Sequence, residues 1–97
     1  DIINTSSLAA KEYNLYQNYP NPFNPTTKIK FDIPKTLDVK IIIFDAVGRE
    51  VKNITQNNMT AGSYVYEFNG ENLSSGIYYF KLQTNEFNRT VKMVFVK

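Results

Sequence analysis

Side chains able to do chemistry are few in this chain. Its 97 residues hold 11 Lys and Arg and 9 Asp and Glu, but no histidine, cysteine or tryptophan. Without imidazole or thiol there is no His-based acid–base pair, no thiol nucleophile and no disulfide. Zinc, haem and iron–sulfur ligand sets are missing for the same reason. A serine nucleophile would need lysine as its base. Ser63, Ser74 and Ser75 lie in turn-like stretches with no lysine at a suggestive spacing. Two carboxylate pairs flank turns, Asp45 with Glu50 and Glu67 with Glu71. Such pairs hydrolyse glycosides or bind calcium only inside a supporting constellation, and no DxDxDG-like loop is present. Asp45 reads better as the residue that hydrogen-bonds its own turn. No enzymatic activity, cofactor or metal is expected.

Binding chemistry leaves more room. Tyr13, Tyr16, Tyr19 and Phe23 crowd the N-terminal third, and Tyr64, Tyr66, Tyr78 and Tyr79 fall in strand-like stretches. Exposed rings could stack sugars, with Asn and Gln as hydrogen-bonding partners. Aromatics at period two in a small β domain more commonly fill the core. The net charge of +2 is too small for a dedicated nucleic-acid or anionic-membrane surface. No apolar run approaches the length of a membrane span. Five Asn-x-Ser/Thr sequons (Asn4, Asn53, Asn58, Asn72 and Asn88) follow from an Asn- and Thr-rich composition.

The elements that must carry these residues are strands. Ile, Val, Tyr, Phe and Thr total 38 residues, against nine Ala and Leu, so strand formers dominate helix formers. Residues 1–12 are small and polar and read as a linker from a preceding domain. The start at Asp1 rather than Met agrees with a piece of a longer protein. A weak strand near Tyr13 precedes Pro20, Pro22 and Pro25, which stiffen a non-helical connector. Ile29, Phe31 and Ile33 then alternate with Lys28, Lys30 and Asp32. Val39 to Phe44 is nearly all apolar, as a strand covered on both faces would be. Asp45-Ala46-Val47-Gly48 has the signature of a type I turn, and Arg49 to Ile54 reads as its returning strand. Further strands follow at Tyr64 to Phe68, Ile77 to Leu82 and Phe87 to Val96. In the last, Val91, Met93 and Phe95 share one face, with Val94 and Val96 on the other. Turn signals every 8 to 12 residues or so predict an all-β, Ig-like antiparallel sandwich of about seven strands over residues 13–97.

Three ordered stretches carry a resemblance. They are Tyr16-Gln17-Asn18-Tyr19-Pro20-Asn21-Pro22-Phe23-Asn24-Pro25-Thr26-Thr27, then Asp45-Ala46-Val47-Gly48-Arg49-Glu50-Val51, then Leu73-Ser74-Ser75-Gly76-Ile77-Tyr78-Tyr79-Phe80-Lys81-Leu82. Followed by a short strand ending in lysine, this set resembles the type A C-terminal sorting domain of the type IX (Por) secretion system of Bacteroidota-like bacteria. The likeness covers roughly Leu15 to Lys97. It implies an Ig-like sandwich that serves as an export address for an upstream cargo domain. The domain would be recognised by the outer-membrane translocon, handled by a shuttle protein and removed by a surface sortase. The cargo would travel through the periplasm and outer membrane to the surface or medium, with no membrane insertion of its own. Cleavage would fall within Asn4 to Lys11. The positions implied in recognition are Pro20, Asn21, Pro22, Asp45, Gly48, Arg49, Gly76, Tyr78 and Lys81. To these are added the terminal residues Val91, Lys92, Met93, Val94, Phe95, Val96 and Lys97.

Physical reading of these positions leaves several roles open. Gly48 needs a positive φ to close its hairpin, whether or not it is also recognised. Arg49 can be a solvated turn residue, an ion-pair partner of a nearby carboxylate or a translocon contact. The terminal strand can offer an edge for strand addition or simply pair within its sheet, and Lys92 and Lys97 would keep such an edge soluble. A carbohydrate-binding or adhesive Ig-like module of a secreted polysaccharidase stands as the second reading, and a passive spacer as the third.

Overall fold

Alternating patterns become alternating burial. The computed structural model describes residues 2–8 and 10–97 and contains eight strands and, among those residues, no helix. They are β1 (Ile2–Ser6), β2 (Asn14–Leu15), β3 (Thr26–Ile33), β4 (Leu37–Asp45), β5 (Glu50–Met59), β6 (Gly62–Asn69), β7 (Gly76–Gln83) and β8 (Asn88–Phe95). All pairing between them is antiparallel, in two four-stranded sheets ordered β1-β6-β3-β2 and β5-β4-β7-β8. The chain is thus an all-β sandwich, with one strand more than expected.

The core lies between the sheets. One layer supplies Ile29, Phe31 and Ile33 from β3 and Tyr64, Tyr66 and Phe68 from β6. The other supplies Val39, Ile41 and Ile43 from β4, Tyr78, Phe80 and Leu82 from β7, and Met93 and Phe95 from β8. Residues two apart meet the same layer because successive strand side chains point to opposite faces. β4 departs from its expectation. Sheet-on-sheet packing covers only its inner face, while Lys40, Ile42 and Phe44 sit on the open face. Ile42 is nonetheless buried, between its cross-strand neighbours Asn53 and Lys81.

The linker expected over residues 1–12 is corrected at Ile2–Ser6, which adds to β6 as the edge strand β1. Asp1 and Ala9 lie outside the described residues. The stretch lacks alternation because backbone pairing holds it more than apolar burial does. Ile3 is 62% exposed, and the Asn4 side-chain amide donates to the Ser63 and Ser6 carbonyls. Gly62 permits the close approach: a Cβ there would stand 2.5 Å from the Ser6 carbonyl oxygen. The weak strand foreseen near Tyr13 is β2, which pairs with β3.

Two side chains tie the N-terminal third to this frame. Phe23 is 1% exposed and stacks on Phe95 at 5.0 Å between centroids, with an edge contact to Phe68 at 6.1 Å. Asp32 accepts hydrogen bonds from Tyr16 Oη (2.5 Å), Ser63 Oγ (2.7 Å) and Asn14 Nδ2 (3.2 Å), and so joins β2, β3 and β6. Burial pushes the Asp32 carboxyl upward, but these donors outweigh it and hold it below its ordinary value.

Phe23→Ala should lower the free energy of unfolding by about 3–5 kcal/mol, read from urea denaturation. A loss below about 1 kcal/mol would mean that Phe23 is not a core residue. Asp32 also predicts a pH dependence. Its folded pKa is depressed, so its stabilisation is present above the unfolded value and fades as pH falls through the folded one. Wild type should therefore lose stability more steeply than Asp32→Asn as pH falls below about 4. Parallel curves for the two proteins would rule this out.

Candidate recognition site

The β4–β5 hairpin is organised by one carboxylate. Asp45 Oδ1 accepts the backbone N–H of Arg49 (2.8 Å) and of Val47 (3.1 Å), and Asp45 Oδ2 accepts Arg49 Nε (2.9 Å). The Gly48 N–H closes the expected turn on the Asp45 carbonyl at 3.0 Å. Gly48 has φ +86°, and an added Cβ would meet nothing within 4 Å. Its requirement is therefore conformational and not steric. The Arg49 backbone N–H is the main influence holding the Asp45 carboxyl below its ordinary value, against some desolvation and with help from the guanidinium and Val47.

This geometry decides how Arg49 is presented. Its Nε is held by Asp45, yet the side chain is 80% exposed. Among the described residues, both terminal amino groups of the guanidinium are without a hydrogen-bonding partner. A fork fixed at its base and free at its tip suits a planar acceptor such as a carboxylate.

Asp45 pairs across the sheet with Tyr78, and this brings the β6–β7 loop beside the turn. Together Asp45, Val47, Arg49, Ser74, Gly76 and Ile77 line a shallow cleft of about 230 Å³. The Tyr78 hydroxyl donates to the Ser74 carbonyl at 2.7 Å, a tyrosine corner that pins the loop. Tyr64 makes the same bond to the Thr60 carbonyl at 2.5 Å. Lys97 reaches the cleft's rim, with its N–H on Ser75 Oγ (2.8 Å) and its Nζ on the Leu73 carbonyl (3.3 Å).

The proline-rich stretch completes the same end of the molecule. Phe23 donates its N–H to the Val94 carbonyl (3.0 Å), and its carbonyl accepts the Val96 N–H (3.1 Å). Asn21 Oδ1 accepts the Val94 N–H at 2.9 Å, and Gln17 Nε2 donates to the Lys92 carbonyl at 2.8 Å. The outer edge of β8 from Lys92 to Val96 is thus already occupied, by the chain's own residues 17–23. Behind it, the Pro20 carbonyl accepts Thr27 Oγ1 (2.8 Å) and Asn18 Nδ2 (3.1 Å), both from buried side chains. The bonds preceding Pro20, Pro22 and Pro25 are cis.

The positions implied by the resemblance therefore separate. Asn21, Pro22, Asp45, Gly48, Arg49, Gly76, Tyr78, Val96 and Lys97 gather at one pole of the sandwich, with Pro20 just behind them. Met93 and Phe95 are core residues, and Val91 is half-buried against the core. Lys81 and Lys92 lie further along β7 and β8, on the open face of their sheet. The tyrosines considered for sugar stacking separate too. Tyr64, Tyr66 and Tyr78 are buried, and Lys30 covers the Tyr16 ring at 5.2 Å, so Tyr19 is the best exposed. Sequence reasoning missed the edge-capping roles of Gln17 and Asn21. Their polarity beside three prolines was the available signal, but the partner lies 73 residues on for Asn21 and 75 for Gln17.

Two antiparallel sheets packed together, with a turn, a loop and a terminal strand meeting at one pole, define a β-sandwich domain. Residues 17–97 match the family described as the secretion system C-terminal sorting domain, and the chain belongs to that family as a type IX sorting domain. Membership implies interaction with the type IX system, an upstream cargo domain, and export to the cell surface or secretion. Among the curated proteins, none matches the chain.

Because only conformation constrains Gly48, Gly48→Ala should destabilise the fold by about 1–2 kcal/mol. Gly48→Asn should recover much of that loss, since Asn tolerates the left-handed region. Chemical denaturation of both variants checks this, and a neutral Gly48→Ala would remove the backbone explanation.

Proposed function

We propose that this chain is a non-enzymatic export address whose recognition by the outer-membrane translocon runs through the pole built from Asp45–Arg49, Ser74–Tyr78 and the end of the terminal strand. The observation that carries this reading is the convergence itself. The Asp45–Arg49 turn and the Ser74–Tyr78 loop, each part of the family's pattern, line one cleft, and the end of the terminal strand reaches its rim where the Lys97 N–H bonds to Ser75 Oγ. Core packing alone would explain Phe95 and Tyr78. It offers no reason for a tethered but solvent-facing Arg49.

The shuttle protein and the sortase enter as later steps of the same proposal. Cleavage within Asn4 to Lys11, through the periplasm-to-surface route, would release the cargo from its address. Ser7 and Leu8 in that stretch are exposed and outside any strand, which suits a protease substrate.

A fluorescent reporter fused ahead of Asp1 should reach the surface or medium of a strain competent in type IX secretion. Retention in the periplasm, while an established sorting domain exports the same reporter, would refute the proposal. Arg49→Ala should cut export at least about tenfold, the loss of about 1.4 kcal/mol of binding, while leaving the melting temperature within a few degrees. Unchanged export of that variant would remove Arg49 from the recognition role.

A further inference from the structure

The open face of the β5-β4-β7-β8 sheet has a composition that solvent exposure does not explain. Alternation against the buried Val39, Ile41 and Ile43 places Ile42 and Phe44 on it, and cross-strand register adds the rest. Phe44 stands opposite Tyr79, and Tyr79 opposite Lys92. Ile42 stands opposite Lys81, and Ile77 opposite Val94. Phe44, Tyr79 and Val94 are half-buried and Ile77 is 37% exposed, although the second sheet packs only on the other side. The result is an apolar strip running across three adjacent strands.

Charge on this face is mostly positive. Lys40, Lys81 and Lys92 occupy outward positions of β4, β7 and β8. Two carboxylates accompany them and are engaged: Asp38 accepts the Asn58 N–H (2.8 Å), and Glu50, opposite Phe44 on the edge strand β5, accepts Asn53 Nδ2 (2.7 Å). The opposite outer face is arranged differently. There Lys28 stands directly across from Glu67, and Lys30 lies over the Tyr16 ring.

We infer that this face is a second docking surface, distinct from the pole, for a protein surface of the export machinery with an apolar centre and an acidic rim. The inference rests on the sorting reading and supplies the chemistry of its partner. An apolar strip rimmed by lysines matches that complement. A second copy of this chain fits poorly, because two-fold pairing of the face on itself would bring Lys81 and Lys92 of both copies together in a desolvated contact.

The reporter fusion provides the test. Lys81→Glu/Lys92→Glu should reduce export at least about tenfold, since each reversal places like charges in contact at the rim. Lys28→Glu/Lys52→Glu, with the same change in net charge placed off this face, should leave export near the wild-type level. Thermal melting of both variants shows that each remains folded. A photo-crosslinking residue in place of Tyr79 should then capture a component of the type IX machinery. Equal export by the two reversal variants overturns the inference and leaves the sorting reading standing. A crosslink to a second copy, to lipid alone or to nothing also overturns it. Failure of the wild-type fusion to leave the periplasm refutes the sorting reading instead.

Discussion

The insertion of Phe23 between the sheets is the contact on which the rest of the structure depends. Its ring reaches the core against Phe68 and Phe95, while its backbone bonds to Val94 and Val96. One residue thereby joins the proline-rich segment, the apolar interior and the C-terminal strand. Prolines on either side limit the conformations this segment loses on folding, so holding Phe23 in place is less costly in entropy. With Phe23 seated, Asn21 and Gln17 fall along the β8 edge and satisfy groups that would otherwise invite another strand.

That arrangement changes what the terminal strand can do. An exposed end strand suggests strand addition, yet here β8 pairs with β7 as far as Phe95, and its outer edge from Lys92 to Val96 is occupied by residues 17–23. Under the proposed function, recognition falls instead to side chains at the pole and on the open sheet face. Asp45 shows how economically the pole is made. A single carboxylate holds two backbone N–H groups and one guanidinium nitrogen, and so shapes the turn and aims Arg49 at once. At the opposite end, Glu86 plays a comparable part by accepting Lys35 (2.9 Å) and Tyr13 (2.6 Å), while Tyr13 stacks on Phe87. Ion pairs this exposed contribute little stability, so geometry is their main effect.

Legibility of the fold followed the period of its side chains. β3, β6 and β8 were readable because one face of each recurs at period two, β7 because Ile77 to Leu82 is strongly apolar, and the Asp45–Gly48 turn because Asp and Gly stand at its first and fourth positions. β1 was not readable, since Ile2–Ser6 is held by backbone bonds to β6 and those carry no residue signature. The double coverage expected of β4 failed for a related reason. A run such as Val39 to Phe44 cannot distinguish a covered outer face from an apolar one left open. For the positions that the resemblance implies, the ordered motifs named a set but not its division into pole, core and open face.

Sequence alone determined the β class, the turns, the exclusion of histidine and cysteine chemistry and the membership that the motifs imply. These depend on residue type and short spacing, which local sterics and hydrogen bonding translate directly into conformation. Tertiary structure alone decided that residues 17–23 seal the β8 edge, that Asp32 joins three strands and that Arg49 shares a cleft with Ser74 and Ile77. Each of these is a meeting of distant segments. It is set by how two twisted sheets stack around a shared core, and no local pattern records that geometry.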